Sequence, residues 1–159
     1  MEKHWLTHAK LQLSEDQRLL NFYVRIVEKL LDVERCSIFI KDPVNRKIWL
    51  KCGTGVVERQ IEVDPDNSVA GRVISTGQTA VEENLHLKDG AHKSVQQNTA
   101  FVTRDMVCVP VKSVHREEII GAIQAINKKG DGGFGQEEIE TLEEVAYHLK
   151  TAIERAYLV

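Results

Sequence analysis

The sequence predicts an α+β domain, in which helices at the two ends of the chain flank a set of antiparallel strands. Near each terminus, apolar residues recur at spacings of three and four, which indicates amphipathic helices. Between these segments, short apolar or alternating runs are separated by turn residues, which indicates strands joined by hairpins. The chain has 159 residues, a length that suits one domain with a buried core.

The first helix is predicted over residues 14–32. Ser14 and Gln17 have the spacing of a capping box at its start. Its apolar positions form a broad stripe: Leu19, Leu20, Phe22, Tyr23, Ile26, Val27 and Leu30. A helix that is apolar over this much of its surface has two surfaces to cover, and we expect these to be its own sheet and a partner.

Three strands and a short helix are predicted next. The run CSIFIKD from Cys36 and the following KIWLKCG form a hairpin, and ERQIEVD from Glu58 alternates as a third, more exposed strand. The segment NSVAGRVISTG is a short helix that Asn67 or Ser68 can cap and that Gly77 can end in a left-handed conformation. The run TAVEEN then predicts a short fourth strand.

A polar, irregular stretch covers residues 85–100. A segment this long inside a compact domain is typically functional or mobile, and we expect it to form a lid. The runs DMVCVPVKS and EIIGAIQAINK follow it and predict a second hairpin, after which the loop Gly130–Gly133 leads to the last helix.

The last helix is predicted over residues 136–157. Its apolar positions alternate at spacings of three and four over more than two heptads: Ile139, Leu142, Ala146, Leu149, Ile153 and Ala156. This pattern is typical of a coiled-coil seam, although a helix that lies on its own sheet explains part of it. Val145 and Tyr157 lie off the seam and indicate a second buried face. We therefore expect a homodimer through residues 14–32 and 136–157.

Composition and charge exclude several classes of protein. The net charge of −3 leaves no excess of Lys and Arg for a general nucleic-acid binder. No apolar run approaches the roughly 20 residues that span a bilayer, and the N-terminal MEKHWLTHAK lacks the apolar core of a secretory signal. Cys36, Cys52 and Cys108 have no spacing typical of a disulfide framework or metal site, so we expect reduced thiols and a cytoplasmic location.

Signatures of catalysis and metal binding are absent from the sequence. It contains no G-x-S-x-G elbow, no phosphate-binding loop and no H-E-x-x-H, which predicts a protein that is not an enzyme. His86 and His92 flank Asp89 and could be read as metal or haem ligands or a pH-sensitive lid, but no third ligand follows at a suitable spacing. We therefore interpret both histidines as solvent-facing loop residues and expect no metal.

Five segments, in their order along the chain, resemble a GAF domain: ERCSIFIKD, NSVAGRVISTGQTAVEENL, TAFVTRDMVCVPV, EEIIGAIQAINKKGDGGF and IETLEEVAYHLKTAIERA. The resemblance covers nearly the whole chain from Ser14, which implies a domain at residues 14–159 behind an N-terminal extension at residues 1–13. It implies a five- or six-stranded antiparallel sheet. The terminal helices would pack on one face, and a ligand pocket would lie on the other, beneath the small helix and the lid.

The sequence is most similar in pattern to the GAF domains of cyclic-nucleotide phosphodiesterases and some adenylyl cyclases. Those domains carry an Asn-Lys pair, a Phe and an Asp-Glu pair in succession. This chain has Asn127, Lys128 and Phe134, followed by Glu138-Ile139 in place of Asp-Glu. The resemblance implies a structural role for these residues, in which Lys128 pairs with Glu138 and holds a loop.

The resemblance also implies a set of ligand-binding residues at matching positions: Ser37, Cys52, Gly53, Val69, Ala70, Gln96, Thr99, Thr103 and Gln124. In members that bind cyclic nucleotides, the backbone N–H groups at the position of Val69 and Ala70 face the cyclic phosphate. Here Cys52-Gly53 replaces a frequent Phe-Asp, and Gln124 replaces a common acid. A purine would lose its stacking surface, which disfavours a cyclic nucleotide and favours another small molecule or an empty pocket.

The sequence thus predicts a non-catalytic signalling module that binds a small molecule, with a cyclic nucleotide among the candidates. It would transmit through dimeric terminal helices to an output domain or partner protein. The alternative is a ligand-free dimerisation module. A free methionine-R-sulfoxide reductase, another activity of the family, would need cysteines in the lid, and residues 85–100 contain none. A bilin would need a Cys in or near the lid, commonly followed by His, so a bilin is disfavoured as a cofactor. Haem is disfavoured as well, because His86 and His92 are interpreted as loop residues.

Overall fold

A computed structural model describes residues 2–88, 90, 92–93 and 101–158, with side chains described from residue 7 onward. Its regular elements, in chain order, are α1 (Glu2–Leu30), β1 (Val33–Lys41), β2 (Ile48–Gly53), β3 (Glu62–Val63), α2 (Val69–Thr76), β4 (Ala80–Glu82), a single 3-10 turn (Leu85–Leu87), β5 (Met106–Lys112), β6 (Ile119–Lys128) and α3 (Gln136–Tyr157).

The strands form one six-stranded antiparallel sheet in the order β3-β2-β1-β6-β5-β4, which confirms the predicted α+β architecture. The two longest strands, β1 and β6, lie at its centre and pair over most of their length. The predicted third strand is shorter than expected. Arg59 has a left-handed φ of 64° and donates its N–H to the carbonyl of Leu50, so this part of the chain turns before β3 begins.

The first helix was predicted to start at Ser14, and this is wrong: α1 already begins at Glu2. Ser14 is an exposed residue within the helix, so Ser14 and Gln17 do not form its capping box. The helix ends at Leu30, and Asp32 reverses the chain with a left-handed φ of 52°.

Both long helices cover the same face of the sheet. The largest hydrophobic cluster joins their inward residues to alternate residues of β1, β5 and β6, among them Leu20, Val27, Ile38, Ile123 and Leu149. The two helices also contact each other, and Arg155 of α3 donates to the Asp16 carboxylate of α1 over 2.8 Å. This placement confirms that the terminal helices pack on one face.

The seam of α3 lies in the core of its own domain. Leu142 and Ile153 are fully buried, Leu149 is 1% exposed, and they pack against the sheet and α1. The interpretation of these residues as a coiled-coil seam was wrong, because a helix resting on a sheet has the same periodicity. The apolar residues left exposed on the helices are instead mainly on α1: Leu11, Leu19, Phe22 and Leu30.

The opposite face of the sheet carries α2. Ser68 caps this helix by accepting a hydrogen bond from the Gly71 N–H over 3.0 Å, and Gly77 ends it with a left-handed φ of 69°. Gly71 is required because an added Cβ would lie 2.1 Å from the Pro65 carbonyl oxygen. A second hydrophobic cluster holds α2 on the sheet through Ala70, Val73 and Ile74.

Candidate functional site

A cavity of about 470 Å³ lies between α2 and the face of the sheet away from the long helices. Strand alternation determines which side chains reach it, since every second residue points to this face. One row across the sheet pairs Ser37 with Gln124, and Gln124 with Cys108. The next row pairs Arg35 with Ile126. Arg35, Ser37, Gln124 and Ile126 of these rows form the floor of the cavity.

Three polar side chains of the cavity wall are almost fully buried. Thr103 is 4% exposed, and Ser37 and Gln124 are each 7% exposed. Polar groups at such depth need hydrogen-bond partners, and a cavity wall allows a ligand or water to supply them. The structure therefore brings together on one wall three residues that the sequence predicted separately.

Five of the nine predicted ligand-binding residues line this cavity: Ser37, Val69, Ala70, Thr103 and Gln124. Val69 and Ala70 form the first turn of α2, so their backbone N–H groups lie at its N-terminus. Gln96 and Thr99 lie outside the described residues. Whether any of these residues binds a ligand stays a prediction.

The placement of Cys52 at the cavity was wrong. Cys52 pairs with Ile38 and joins the cluster under the long helices, and the register of β1 with β2 shifts by one residue at a bulge between Ile38 and Phe39. Gly53 pairs with Ser37 but lines a shallow groove beside α1 instead of the cavity. A side chain at Gly53 would come within 2.9 Å of the Ser37 hydroxyl.

Sequence reasoning missed Arg35, Phe39 and Phe101, which all line the cavity. The signal for two of them was the alternation of β1, because Arg35 and Phe39 lie two residues on either side of Ser37. The Cζ atom of Arg35 lies 3.7 Å from the centroid of the Phe101 ring. This cation–π contact joins the start of β1 to the segment that leads into β5.

An ion-pair network borders the cavity at β4. The Glu82 carboxylate of β4 accepts a hydrogen bond from the Arg72 guanidinium of α2 and lies 3.7 Å from the Lys88 ammonium. Farther along the chain, a ring nitrogen of His92 contacts the Lys88 carbonyl oxygen over 2.9 Å. The charged groups of Arg72, Lys88 and Glu82 at the β4 edge of the cavity are thus paired with one another.

The structural residues at the end of β6 form a compact polar cluster. Asn127 is fully buried and has a left-handed φ of 60°. Its side chain accepts from the Arg104 N–H over 2.7 Å and donates to the Glu34 carboxylate over 2.8 Å. That hydrogen bond, helped by Arg104, lowers the pKa of Glu34.

The expected pair of Lys128 and Glu138 is present, with a nitrogen–oxygen distance of 3.7 Å. Lys128 also donates to the Leu31 carbonyl over 2.6 Å, so it ties the start of α3 to the end of α1. Phe134 is 9% exposed and packs in the core under the helices. These contacts need no ligand and agree with the structural role that the sequence predicted.

The three cysteines are free and buried. Burial raises the pKa of Cys108 to about 12, although its hydrogen bond with Gln124 acts in the opposite direction. Burial likewise raises the pKa of Cys52 to about 12. Thiols in this state are poor nucleophiles, because the thiolate is the reactive form.

No group of three or more His, Cys, Asp or Glu residues is arranged to hold a metal ion within the part of the chain that the structure describes. Asp89, which the sequence places between His86 and His92, lies outside that part. Among the described helices, none combines the length and the apolar character that crossing a membrane requires.

Comparison with known sequences gives a matching family and longer relatives that contain a similar segment. A profile of the GAF domain matches residues 17–153. The chain is 29% identical over 153 residues to the probable 3',5'-cyclic phosphodiesterase pde-5 of Caenorhabditis elegans, which covers 89% of this chain. The chain spans about a fifth of that relative's length.

Solved structures share the fold at low sequence identity. The GAF domain of a phosphoenolpyruvate-protein phosphotransferase from Coxiella burnetii has a TM-score of 0.74 and 19% identity, covering 95% of this chain and 93% of its own. A type II free methionine-R-sulfoxide reductase from Thermoplasma acidophilum has a TM-score of 0.67 and 14% identity, covering 89% of this chain and 94% of its own. At these identities, both similarities extend to the fold alone.

Proposed function

Because the chain belongs to the GAF domain family, we propose that it is a non-catalytic sensory module whose cavity binds a small molecule. The observation that carries this proposal is a cavity of about 470 Å³ whose wall contains three buried polar side chains, Ser37, Thr103 and Gln124. Its volume and its mixture of apolar and polar groups suit a metabolite-sized ligand. A cyclic nucleotide is one candidate, which the similarity to a cyclic phosphodiesterase supports.

Ligand occupancy would be transmitted by the central strands. Gln124 of β6 faces the cavity, while its neighbour Ile123 packs under the long helices on the other face of the same strand. A ligand that shifts β6 or α2 would therefore change the packing of α1 and α3. Such a shift is a change in the populations of two helix arrangements, which a ligand can drive only by binding one of them more tightly.

We further propose that the module acts in the cytoplasm as a homodimer through its terminal helices and regulates an output domain or partner protein. The surface that supports a dimer is the outer face of α1, where Leu19 is 41% exposed, Phe22 48% and Leu30 62%. Exposed apolar side chains at helical spacing favour contact with another helix. The seam of α3 is buried, so α3 would contribute its outer residues, such as Tyr147.

Thermal unfolding in the presence of cyclic AMP, cyclic GMP and a library of small metabolites tests ligand binding. We expect at least one compound to raise the melting temperature, since a ligand at about 100 times its Kd stabilises the folded state by about 2.7 kcal/mol. Val69→Trp, which places a large ring in the cavity, should abolish the shift. Val57→Trp, at an exposed position outside the cavity lining, should retain it.

Absence of a shift with every compound, together with a dimer by light scattering, would support the ligand-free dimerisation module instead. A shift that persists in Val69→Trp would place binding elsewhere on the chain.

A thiol-labelling experiment tests the non-catalytic assignment. We expect Cys36, Cys52 and Cys108 to resist iodoacetamide in the folded protein and to react after unfolding in urea, because all three are buried and burial raises their pKa values. Rapid labelling of Cys108 in the folded protein, or turnover of free methionine-R-sulfoxide that Cys108→Ser abolishes, would support an enzyme.

A further inference from the structure

Arg35 is a half-buried cation on the floor of the cavity. It projects from β1 in the row of alternate residues that also contains Ser37, and its guanidinium lies over the Phe101 ring. The ring covers one face of the guanidinium. The N–H donors lie in the plane of the group, so stacking leaves them available for a second partner.

No carboxylate pairs with Arg35 within the described part of the chain. Its row across the sheet runs through Ile126 and Met106 to Glu82, three strands away, which is about 14 Å. Glu82 is already held by Arg72 and Lys88. A partly desolvated cation without a counterion is unfavourable, and a ligand anion would relieve that cost.

The surface beside Arg35 is apolar. Leu85, Met106 and Ile126 are each less than 10% exposed and form a separate small hydrophobic cluster, against which Val69 and Phe101 pack. All five residues line the cavity. A ligand that reaches Arg35 therefore places its remaining atoms on an apolar wall.

The α2 end of the cavity is less suited to an anion. The Gly71 N–H already donates to the Ser68 hydroxyl, which caps α2. Asp66, an acidic residue just before α2, also lines the cavity. A carboxylate at this position opposes the attraction that a helix N-terminus exerts on negative charge. Among the described lining residues, Arg72 and Lys88 are paired with Glu82, and Arg35 and Asp66 lie outside that network.

We propose that this cavity takes an amphipathic organic anion whose oxyanion group binds the Arg35 guanidinium and whose apolar part covers Leu85, Met106 and Ile126. The inference rests on the proposed function, because it requires that the cavity binds a ligand, and it names that ligand's chemical class. Arg35 is the residue that selects charge, and its stacking on Phe101 holds the guanidinium in place.

Calorimetric titration with matched pairs of compounds tests the inference: hexanoate with hexanamide, benzoate with benzamide, and cyclic AMP with adenosine. We expect at least one anion to bind about tenfold or more tightly than its neutral counterpart. Arg35→Gln should remove that preference and leave the affinity for the neutral compound unchanged. Arg35→Lys, which keeps the charge, should retain part of it.

Arg104→Gln is the control for loss of an arginine charge, because Arg104 is exposed, lies outside the cavity and pairs with Glu34. It should leave the preference intact. Should Arg35→Gln not fold, the wild-type affinity for the anion must still fall as salt concentration rises, whereas the affinity for the neutral compound must not.

Equal binding of the anion and its neutral counterpart, or an equal loss in Arg35→Gln and Arg104→Gln, would overturn the inference and leave the proposed function standing. If no compound of either kind binds, and the metabolite library also gives no thermal shift, both the inference and the proposed function fail.

Discussion

Glu154 ties the last helix to the turn between β5 and β6. Its carboxylate accepts hydrogen bonds from the Ser113 hydroxyl over 2.7 Å and from the Val114 N–H. Burial acts to raise the pKa of Glu154, but these hydrogen bonds, with Arg116 nearby, lower it below its ordinary value of 4.5. A carboxylate that is stabilised in its charged form links the stability of the fold to pH.

We expect Glu154→Gln to lower the free energy of unfolding by about 1–3 kcal/mol near neutral pH, because a charged acceptor is lost from a site that is 6% exposed. The folded-state pKa is lowered, so the stabilisation is fully present above the ordinary pKa of 4.5 and is lost as the pH falls through the lower folded-state pKa. Urea unfolding at about pH 7 and about pH 3 measures the difference.

Glu144→Gln, at an exposed position on the same helix, is the control and should change stability little at either pH. An equal cost of Glu154→Gln at both pH values would contradict the account, since it would show that the charge is not the source of the stabilisation.

Arg35 also shows what a single sequence can and cannot predict at the scale of a residue. Its position two residues before Ser37 predicts that both face the same side of β1. The contact with Phe101 joins residues from distant parts of the chain, and no spacing reveals it. Cys52 was misplaced for a related reason: a bulge changes the phase of β2 against β1, and the sequence carries no mark of it.

At the scale of elements, α1 and α3 are joined by a polar contact within their apolar interface. Asp16 is 6% exposed and accepts from Arg155 over 2.8 Å and from Gln12 over 3.1 Å. Arg155 itself is 42% exposed on its side chain, so solvent screens the pair on that side. The contact links the two helices that are proposed to carry the signal.

A double-mutant cycle on this pair should give a coupling energy on the order of 1 kcal/mol. We expect Arg155→Met alone to destabilise by more than that, about 1–2 kcal/mol, because it leaves the buried Asp16 carboxylate without its cation, whereas adding Asp16→Asn should recover part of the loss. Urea unfolding of the two single variants and the double variant gives the coupling.

The exposed pair of Lys47 and Glu62, 3.9 Å apart, provides the matched cycle. Its coupling should be close to zero, as is usual for solvated pairs. A coupling energy that is equally close to zero for Asp16 and Arg155 would show that their contact does not help to hold α1 against α3.

Element boundaries were predictable where local chemistry defines them. Ser68 and Gly77 bound α2 as expected, and α3 spans the predicted residues, because caps and glycines act through neighbouring backbone groups. The start of α1 was not predictable from the sequence, because a serine such as Ser14 can cap a helix or lie within one. The seam of α3 was ambiguous because packing on a sheet and packing on a second helix require the same spacing of apolar residues.

At the scale of the whole molecule, the exposed face of α1 is the surface that a homodimer would use. We expect Phe22→Glu to shift the protein from dimer to monomer by light scattering and to leave the thermal stability of the monomer little changed. The reason is that Phe22 is 48% exposed and therefore contributes little to the core of its own domain, whereas a charge at a dimer interface is costly.

Val44→Glu is the control, because Val44 is 90% exposed on the turn between β1 and β2. It should leave the dimer intact. A wild-type protein that is monomeric throughout the accessible concentration range would contradict the proposed homodimer, and so would a dimer that Phe22→Glu leaves unchanged.

The pairing of β1 with β6 has a consequence for how the chain folds. Ser37 pairs with Gln124, so most of the sequence lies in the loop between these two central strands. Closing a loop of that size is entropically costly, and domains rich in such distant contacts fold slowly. During synthesis, β1 and β2 emerge early and can pair with each other. The other edge of β1 has no partner until β6 leaves the ribosome. Until then the edge of β1 that faces β6 stays open to pairing with other chains.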